Sequence, residues 1–398
     1  MHNLTKIKIF RALLYITYPI SLIFIFPFAA LKRKNKSPLF FFFDRYAIGG
    51  AQKIHIDILN SIPETYKQLY FTRLSKNKSL QEVFFSFPNT DARDIHFWCD
   101  NLIFRLFTVH YYAFYINRHK KAHVFSSNST FFYDILPFIN RRVTRTELLH
   151  NFTHGKNGME FFGLANVDYL DYRIVYDNYT LSNIKKQYID YRIPAARLER
   201  ILFIEPGVTI PGSYNKTYQL PLRILYAGRG GPQKRLHLLN RIAEICIQNG
   251  LPVEFHFAGS LDGELSETVM SKSVMHGEVK EAAQMDEIYK TAHVILMTSA
   301  YEGFPMLIKE GMAHGCVPVV TALEGNKTHL THLENALLID AVEDEEKVVA
   351  EGYACVAKLA QDKALYEQLS QRAYAYAVSF FDRDKFTKTY HTFLVGNN

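Results

Sequence analysis

Cysteine is scarce in this sequence and shows no functional spacing. The 398 residues contain four cysteines, Cys99, Cys246, Cys316 and Cys355, without a Cys-x-x-Cys pair or a Cys/His pattern typical of a metal site. The chain is therefore not a small module held together by disulfides. We expect a reducing compartment, with each cysteine a small core residue.

The chain beyond residue 36 has no net positive charge when its two halves are added together. The net charge of +7 equals the charge of residues 1–36, which hold seven Lys or Arg and no acid, whereas residues 37–208 sum to +5 and residues 209–398 to −5. A nucleic-acid binder spreads basic residues over its binding face, so we exclude nucleic acid as a partner. The chain is 48% hydrophobic and 14% aromatic, which with this length indicates two folded domains.

The N-terminal segment, residues 1–36, contains twenty uncharged residues at positions 12–31. At about 1.5 Å per residue, a helix of that length just reaches across a hydrocarbon core of about 30 Å. Basic residues flank it on both sides, so they give no orientation. Pro19 and Pro27 fit either a kinked spanning helix or a re-entrant segment. The stretch is too long for the apolar region of a cleaved signal peptide, so we expect a membrane-associated segment.

Strands alternate with helices through the rest of the chain. The apolar run Leu39 to Phe43, the turn Gly49-Gly50 and a helix at 51–59 open an α/β sheet, and the pattern restarts at Arg223 after a Pro/Gly-rich linker at 205–222. We predict two doubly wound, Rossmann-like domains, residues 37–208 and 209–380, facing each other across a cleft. Further predicted strands are 122–126, 146–150, 172–176, 223–227, 253–258, 294–298 and 317–320, with helices at 101–117, at 236–249 and from near 305.

The apolar helix at 101–117 is followed by three cations, Arg118, Lys120 and Lys121. Such a helix could lie on a membrane. It could equally be a core helix with cations near its C-terminus, and both interpretations stay open.

Two carboxylates and a helix start follow the predicted strand 294–298. Pro305 stands where a first helical residue would, so the amides of Met306 and Leu307 would be unpaired donors at the carboxyl edge of the sheet. That arrangement suits a diphosphate. Glu302 precedes the helix and Glu310 lies about one and a half turns into it, and each carboxylate can accept from vicinal sugar hydroxyls.

A glycine-rich loop, Gly228 to Arg235, follows the predicted strand 223–227. It places Arg229 and Lys234 five residues apart, which suits the neutralisation of a leaving diphosphate. Glycine-rich loops with a lysine are also common surface turns, so this loop needs the second motif for its interpretation.

Together these motifs carry a resemblance to a known family. The loop with Arg229 and Lys234, the two glutamates with Gly-Phe-Pro between them, and the early Gly49-Gly50-Ala51 resemble the retaining glycosyltransferases of family 4, which have the GT-B fold. The resemblance covers nearly all of residues 37–394. It implies that residues 381–398 form the closing helix that crosses back to the first domain.

The resemblance implies roles for the charged residues. Arg229 and Lys234 would bind the donor diphosphate and stabilise its charge as the glycosidic bond breaks. Glu302 would contact the transferred sugar, and Glu310 would hold the nucleotide ribose. Arg229, Lys234 and Glu302 are thus expected catalytic residues.

The resemblance extends to the rest of the donor site. Met306 and Leu307 would bind phosphate through their amides, with Phe304 beside them. Gly50 would let the loop of the first domain approach the phosphates and the acceptor. His150 matches a position where the family often has a histidine near the donor sugar, and His154 is a rival for that catalytic role.

The implied reaction is transfer with retention at the anomeric carbon by front-face attack, with a UDP- or GDP-linked sugar as donor and no metal or cofactor. Asp382-Arg383-Asp384 is interpreted as a helix start. The N-terminal segment favours a lipid-linked or cell-surface glycan acceptor, as in polysaccharide or lipopolysaccharide synthesis, at the cytoplasmic face of a bacterial inner membrane. A catalytically inactive membrane scaffold is the alternative, although the expected cations and carboxylates are all present.

Overall fold

A computed structural model describes residues 2–32, 39–47, 49–153, 158–261, 263–279 and 281–396. The chain divides into two units. Unit 1 comprises residues 1–176, 180–205 and 385–398, and unit 2 comprises residues 177–179 and 206–384. The C-terminal residues 385–398 thus belong to the first unit.

Unit 1 contains a seven-stranded parallel sheet in the order β3-β2-β1-β4-β5-β6-β7. Its central strand is apolar throughout because both faces are covered: Phe40 and Phe42 enter one hydrophobic cluster, and Phe41 and Phe43 enter another. The strands are β1 (Leu39–Phe43), β2 (Lys67–Phe71), β3 (Thr90–Asp94), β4 (His123–Ser127), β5 (Thr144–Leu148), β6 (Tyr172–Val175) and β7 (Ile201–Phe203).

Ten helices of the described chain belong wholly or mainly to unit 1. They are α1 (His2–Phe24), α2 (Phe26–Leu31), α3 (Gly50–Asn60), α4 (Gln81–Phe85), α5 (His96–Asp100), α6 (Leu102–Asn117), α7 (Thr130–Ile135), α8 (Met159–Ala165), α9 (Asn178–Asp190) and, at the C-terminal end of the chain, α17 (Arg383–Val395). Helix α6 is a core helix, since its Val109, Ala113 and Ile116 are buried in the cluster that also holds Phe40 and Phe42.

The apolar helix expected within residues 12–31 is present, but the N-terminal segment divides into two helices. Helix α1 contains Pro19, ends at Phe24 and is followed by a separate short helix that starts at Phe26, with Pro27 in its first turn, where a proline is tolerated. By length and composition alone, Thr5–Phe24 is the one helix among the described residues that could cross a membrane.

Unit 2 contains a six-stranded parallel sheet in the order β10-β9-β8-β11-β12-β13. Successive residues of its strands enter opposite clusters, as Ile224 and Leu225 do. The strands are β8 (Leu222–Ala227), β9 (Val253–Ala258), β10 (Val274–Gly277), β11 (Val294–Met297), β12 (Val317–Thr321) and β13 (Leu337–Ile339). The helices are α10 (Leu236–Gln248), α11 (Glu267–Ser271), α12 (Ala282–Thr291), α13 (Met306–Ala313), α14 (Glu324–Lys327), α15 (Glu345–Gln361) and α16 (Lys363–Phe380).

The prediction of two parallel, Rossmann-like sheets is confirmed, and most predicted strands lie within two residues of their observed bounds. The alternating pattern does not predict strands β2, β3, β7, β10 and β13. Strand β3 lies at the edge of the sheet, so its sequence, Thr90–Asp94, is polar and lacks the apolar run of a buried strand. Strand β2 contains a charged residue, Lys67, which can be buried because it donates to the carbonyl of Ile62 at 2.9 Å. The expected strand 146–150 ends at Leu148, so His150 lies two residues beyond it.

Candidate active site

The order of the strands in unit 2 creates one switch point. Strand β8 lies between β9 and β11. The chain continues from β8 to β9 and β10 on one side of the sheet, and β11, β12 and β13 then follow on the other side. Ligands of doubly wound sheets bind outside the carboxyl ends of the strands at such a point. The Gly228 to Arg235 loop follows β8, and the loop with Glu302 follows β11, so both sequence motifs meet there.

The glycine-rich loop is fixed through its backbone. The hydroxyl of the buried Tyr226 donates to the carbonyl of Arg229 at 2.8 Å, and the amide of Gly230 donates to the carbonyl of Ser260 at 2.8 Å. Gly231 has a φ of +125°, a conformation that favours glycine. The Arg229 side chain is exposed and forms no ion pair within the described part of the chain. It is therefore available to an anion.

Arg235, in contrast, has a structural position. Its buried guanidinium donates to the carbonyls of Thr298 at 2.8 Å, Ser299 at 3.0 Å and Val342 at 2.6 Å. The carbonyl of Gln233 also accepts from the amide of Ala300 at 2.8 Å. These bonds join the loops that follow β8 and β11, so the two motifs form one rigid surface.

Lys234 and Glu302 are brought into direct contact by this junction. The Nζ of Lys234 donates to Oε1 of Glu302 at 2.5 Å, and both side chains keep some access to solvent, with exposures of 21% and 12%. The cation expected at the diphosphate and the carboxylate expected at the sugar are therefore neighbours.

Helix α13 begins directly after Pro305, with an extended backbone at the proline. The amides of Ile308 and Lys309 donate to the Pro305 carbonyl, whereas the amides of Met306 and Leu307 have no acceptor among the described residues. Two unpaired donors at the start of a helix favour an anion.

Glu310 lies further along α13 and contacts α12. The hydroxyl of Tyr289 donates to Oε2 of Glu310 at 2.6 Å. Burial and the neighbouring Glu310 charge both raise the pKa of Tyr289, so its proton stays in this hydrogen bond. Tyr289 thus orients the carboxylate assigned to the ribose.

Phe304 has a different position from the one expected of a donor-binding residue. Its side chain is buried in unit 2, with its ring 4.5 Å from the ring of His329 and 5.5 Å from that of Phe381, measured between centroids. It anchors the loop before α13 to the core of unit 2.

Gly50 is the first residue of α3, close to the carboxyl end of β1. The sheet of unit 1 has its own switch point between β1 and β4, beside this helix. A Cβ atom added at Gly50 would have no described atom within 4 Å. The space in front of this residue is therefore open to a ligand.

His150 is buried, with 4% exposure. Its Nε2 lies 3.0 Å from Nε2 of His55, and its Nδ1 lies 3.3 Å from the Tyr176 hydroxyl. Burial lowers the pKa of His150 to about 3, so the ring is neutral at physiological pH. His154, its rival, lies outside the described residues.

Sequence reasoning missed three positioning residues, Tyr226, Arg235 and Tyr289. Tyr226 contacts a residue three positions away, whereas Arg235 and Tyr289 contact residues that are distant in sequence, so no local pattern identifies them. Arg235 carried a weak signal, because it stands next to Lys234 in the glycine-rich loop. In the described part of the chain, no three His, Cys, Asp or Glu side chains are close enough to hold a metal ion.

Part of the second unit matches a known protein family. Residues 221–357, which include Arg229, Lys234, Glu302 and Glu310, match the family model of the glycosyl transferases group 1. No curated protein matches the chain by sequence.

Several solved structures share the fold. HepE of Anabaena, in complex with UDP and glucose, is 15% identical with a TM-score of 0.67 over 90% of this chain and 99% of its own. The lipopolysaccharide outer core galactosyltransferase WaaB, in its apo form, is 16% identical with a TM-score of 0.63 over 90% of this chain and 100% of its own.

TarM of S. aureus, in a complex that contains UDP, is 16% identical with a TM-score of 0.58. The match covers 72% of this chain but 59% of TarM, so the chain spans about three fifths of that protein's length. The resemblance inferred from the motifs is confirmed at the level of group 1 and of the GT-B fold. The chain therefore has the GT-B fold, and residues 221–357 of its second unit match the glycosyl transferases group 1.

Proposed function

We propose that this protein transfers a sugar, with retention at the anomeric carbon, from a UDP-linked donor to a lipid-linked or cell-surface glycan at the cytoplasmic face of a bacterial inner membrane. The observation that carries the proposal is the Lys234 to Glu302 contact at the switch point of unit 2, beside the unpaired amides of Met306 and Leu307. The UDP in the HepE and TarM structures supports the donor, and the similarity to the lipopolysaccharide galactosyltransferase WaaB supports the glycan pathway.

The donor diphosphate binds through local charges in this proposal. Unit 2 lies in the part of the chain that sums to −5, so no general positive field attracts a nucleotide. Arg229 and Lys234 supply the two cations, and the amides at the start of α13 supply neutral donors. The same cations stabilise the charge that develops on the leaving phosphate.

The carboxylates hold the two sugars of the donor. Glu310, oriented by Tyr289, accepts from the ribose hydroxyls, and Glu302 accepts from hydroxyls of the transferred sugar. Donor binding therefore gives Lys234 a second anionic partner next to Glu302. Gly50 leaves space for the donor and the acceptor at the edge of unit 1.

The reaction needs no protein nucleophile. The bond between the anomeric carbon and the β-phosphate oxygen breaks while the acceptor oxygen bonds to that carbon from the same face. The acceptor proton passes to the leaving phosphate oxygen, which restores the charge balance. The cations perform the charge stabilisation that a metal performs in other enzymes, so we propose a reaction independent of metal and cofactor.

A two-stage experiment tests this function. UDP, GDP and ADP are first compared as stabilisers of the full chain, since a ligand at 100 times its Kd adds about 2.7 kcal/mol to the free energy of unfolding. Membranes that carry the protein are then supplied with sugars linked to the nucleotide that binds. Lys234→Ala and Glu310→Ala are expected to reduce sugar transfer, for Lys234→Ala by about 10²–10³. Lys327→Ala, which replaces an exposed lysine in the same unit, is the control.

The outcomes separate the proposal from its alternative. Stabilisation by UDP together with transfer that depends on Lys234 supports the enzyme. No stabilisation by any nucleotide and no transfer would favour a catalytically inactive scaffold. Transfer that is undiminished by both substitutions would contradict the assigned site.

A further inference from the structure

Helix α1 is apolar on nearly every side, but unit 1 covers only one stripe of it. Leu14 and Ser21 are buried in that stripe, with Thr17 and Tyr18 partly covered. The large apolar side chains exposed outside it are Ile9, Leu13, Tyr15, Ile16, Ile20, Leu22, Ile23 and Phe24. A surface helix of a soluble protein normally presents polar residues to water. This face therefore needs an apolar environment.

A series of contacts holds α1 beside α6 along its length. The Phe10 ring lies 5.7 Å from the Arg105 guanidinium, the His110 Nε2 donates to the Leu14 carbonyl at 3.1 Å, and the Tyr18 ring lies 5.6 Å from that of Phe114. Residue numbers rise together on the two helices. Helix α1 therefore runs alongside α6 in the same direction.

Helix α2 and the middle of α1 are fixed by arginines. Arg118, just after α6, donates to the carbonyls of Ala29 and Lys32 at 2.6 Å each. Arg11 donates to Oδ1 of Asn166 at 2.6 Å. These charge-assisted bonds tie α1 and α2 to the rest of unit 1.

The position of α6 limits how α1 can contact a membrane. One face of α6 is buried against the residues of the parallel sheet, as Val109 and Ala113 show. The sheet and its polar loops cannot enter hydrocarbon. A helix held against α6 at residues 10, 14 and 18 therefore cannot cross the bilayer while these contacts remain.

A second exposed apolar surface adjoins the first. It is the α5–α6 corner, whose exposed side chains are Phe97, Trp98, Leu102, Ile103 and Phe104. The Phe104 ring lies 5.2 Å from that of Trp98, and the next residue, Arg105, contacts Phe10 of α1. The corner and α1 thus form a continuous surface.

Basic side chains border this surface. Lys6 and Lys8 are exposed on the first turns of α1, and Lys120 and Lys121 are exposed after the end of α6. Lysines around an apolar face with aromatic residues complement an anionic lipid surface. No comparable reason favours a protein partner.

We propose that α1, α2 and the α5–α6 corner form one lipid-facing surface, with which the protein lies on an anionic bilayer while α1 stays in the plane of the interface. The apolar residues enter the boundary of headgroups and acyl chains, and the lysines contact the headgroups. This inference rests on the membrane location proposed above but not on sugar transfer. Vesicle binding is measured without donor, so the two proposals fail independently.

Trp98 is a natural probe because it is the single tryptophan of the chain, and it is 50% exposed. The full chain is mixed with vesicles of phosphatidylcholine with and without phosphatidylglycerol. We expect a blue shift of the emission with the anionic vesicles and quenching by brominated lipid. An unchanged Trp98 spectrum in vesicles that carry the protein would overturn the proposal.

The depth of α1 is tested with Ile16→Trp in a Trp98→Phe background. Bromine near the headgroups should quench this tryptophan more strongly than bromine at the acyl ends. Lys6→Cys and Leu31→Cys, each labelled with an impermeant maleimide, should react from the same side of the membrane. Stronger quenching from the acyl ends, or labelling from opposite sides, would overturn the in-plane position.

Negative charges introduced on the exposed face of α1 test its contribution to vesicle binding. Ile16 and Ile23 lie two turns apart and are each 68% exposed. The double variant Ile16→Glu, Ile23→Glu should bind vesicles at least about tenfold more weakly. The control is Ile189→Glu, which replaces an isoleucine 75% exposed on another helix of unit 1. Equal losses in both variants, or a change of oligomeric state without a change in vesicle binding, would overturn the proposal.

Discussion

The Nζ of Lys234 lies 2.5 Å from Oε1 of Glu302 and connects the loops that follow β8 and β11. The two residues are 68 positions apart in sequence, yet each was assigned to the donor from its own motif. Their contact means that the cation is already ordered by a carboxylate before a donor arrives. Ordering of this kind reduces the reorganisation needed during the reaction.

Lys234→Ala should therefore affect turnover more than stability. We expect turnover to fall by about 10²–10³, the range seen when one stabilising donor is removed from an active site. The free energy of unfolding should change by about 1 kcal/mol or less, since both partners are accessible to solvent. Release of nucleotide and urea unfolding measure the two effects. A variant with normal turnover would remove Lys234 from the mechanism.

Arg235→Ala should have the opposite effect. The change leaves three carbonyls without their shared donor, so we expect a loss of about 3 kcal/mol in the free energy of unfolding. Arg241→Ala is the matched control: its ion pair with Glu346 is exposed to solvent and should contribute far less to stability. Similar losses in the two variants would contradict the structural role of Arg235.

The sequence could predict the fold and the position of the motifs because both depend on local patterns. Apolar strands followed by glycine or proline place Arg229, Lys234 and Glu302 at the carboxyl ends of the strands. Side-chain direction is not local. Phe304 stands inside the acidic motif but points into the core, since its neighbours His329 and Phe381 come from distant segments.

The same limit applies to the other cations and histidines. Arg229 and Arg235 share one loop, yet one is exposed and the other is buried. His150 contacts His55, which is 95 positions earlier, so no spacing rule could identify the pair. Tertiary contacts decide these roles.

Gly50→Ala tests whether a glycine is needed at this position for ligand binding or for the stability of α3. The added methyl group meets no described atom within 4 Å, and alanine suits a helix better than glycine, so stability should stay unchanged or rise slightly. If the donor or acceptor approaches this position, kcat/KM should fall at least about tenfold. Gly212→Ala, which also adds a methyl to open space, is the control. Normal activity in Gly50→Ala would remove this residue from the site.

Tyr289→Phe tests how Glu310 is oriented. Removal of the hydroxyl should cost about 1 kcal/mol of stability and raise the donor KM several-fold with little change in kcat, because the ribose contact is weakened. Tyr218→Phe removes a hydroxyl that donates to the carbonyl of Ala360, also at 2.6 Å, and should reduce stability alone. Equal donor KM values in the two variants would contradict the role of Tyr289.

The buried pair of His150 and His55 should make unit 1 sensitive to acid. The pKa of His150 is lowered to about 3 by burial, against about 6.5 in an unfolded chain, and burial also lowers the pKa of His55. As pH falls below about 6.5, the unfolded state takes up protons first, so stability is complete above that pH and decreases toward about 3. The slope reaches about 1.4 kcal/mol per pH unit for each histidine.

The free energy of unfolding, measured with urea at about pH 7.5 and about pH 5.5, tests this effect. His150→Gln removes one titrating group, so its stability should fall about 1 kcal/mol less than that of the unmodified chain over this interval. His237→Gln, an exposed histidine of unit 2, should show the unmodified pH dependence. If His150→Gln shows the full acid loss, the neutral buried state of His150 is wrong.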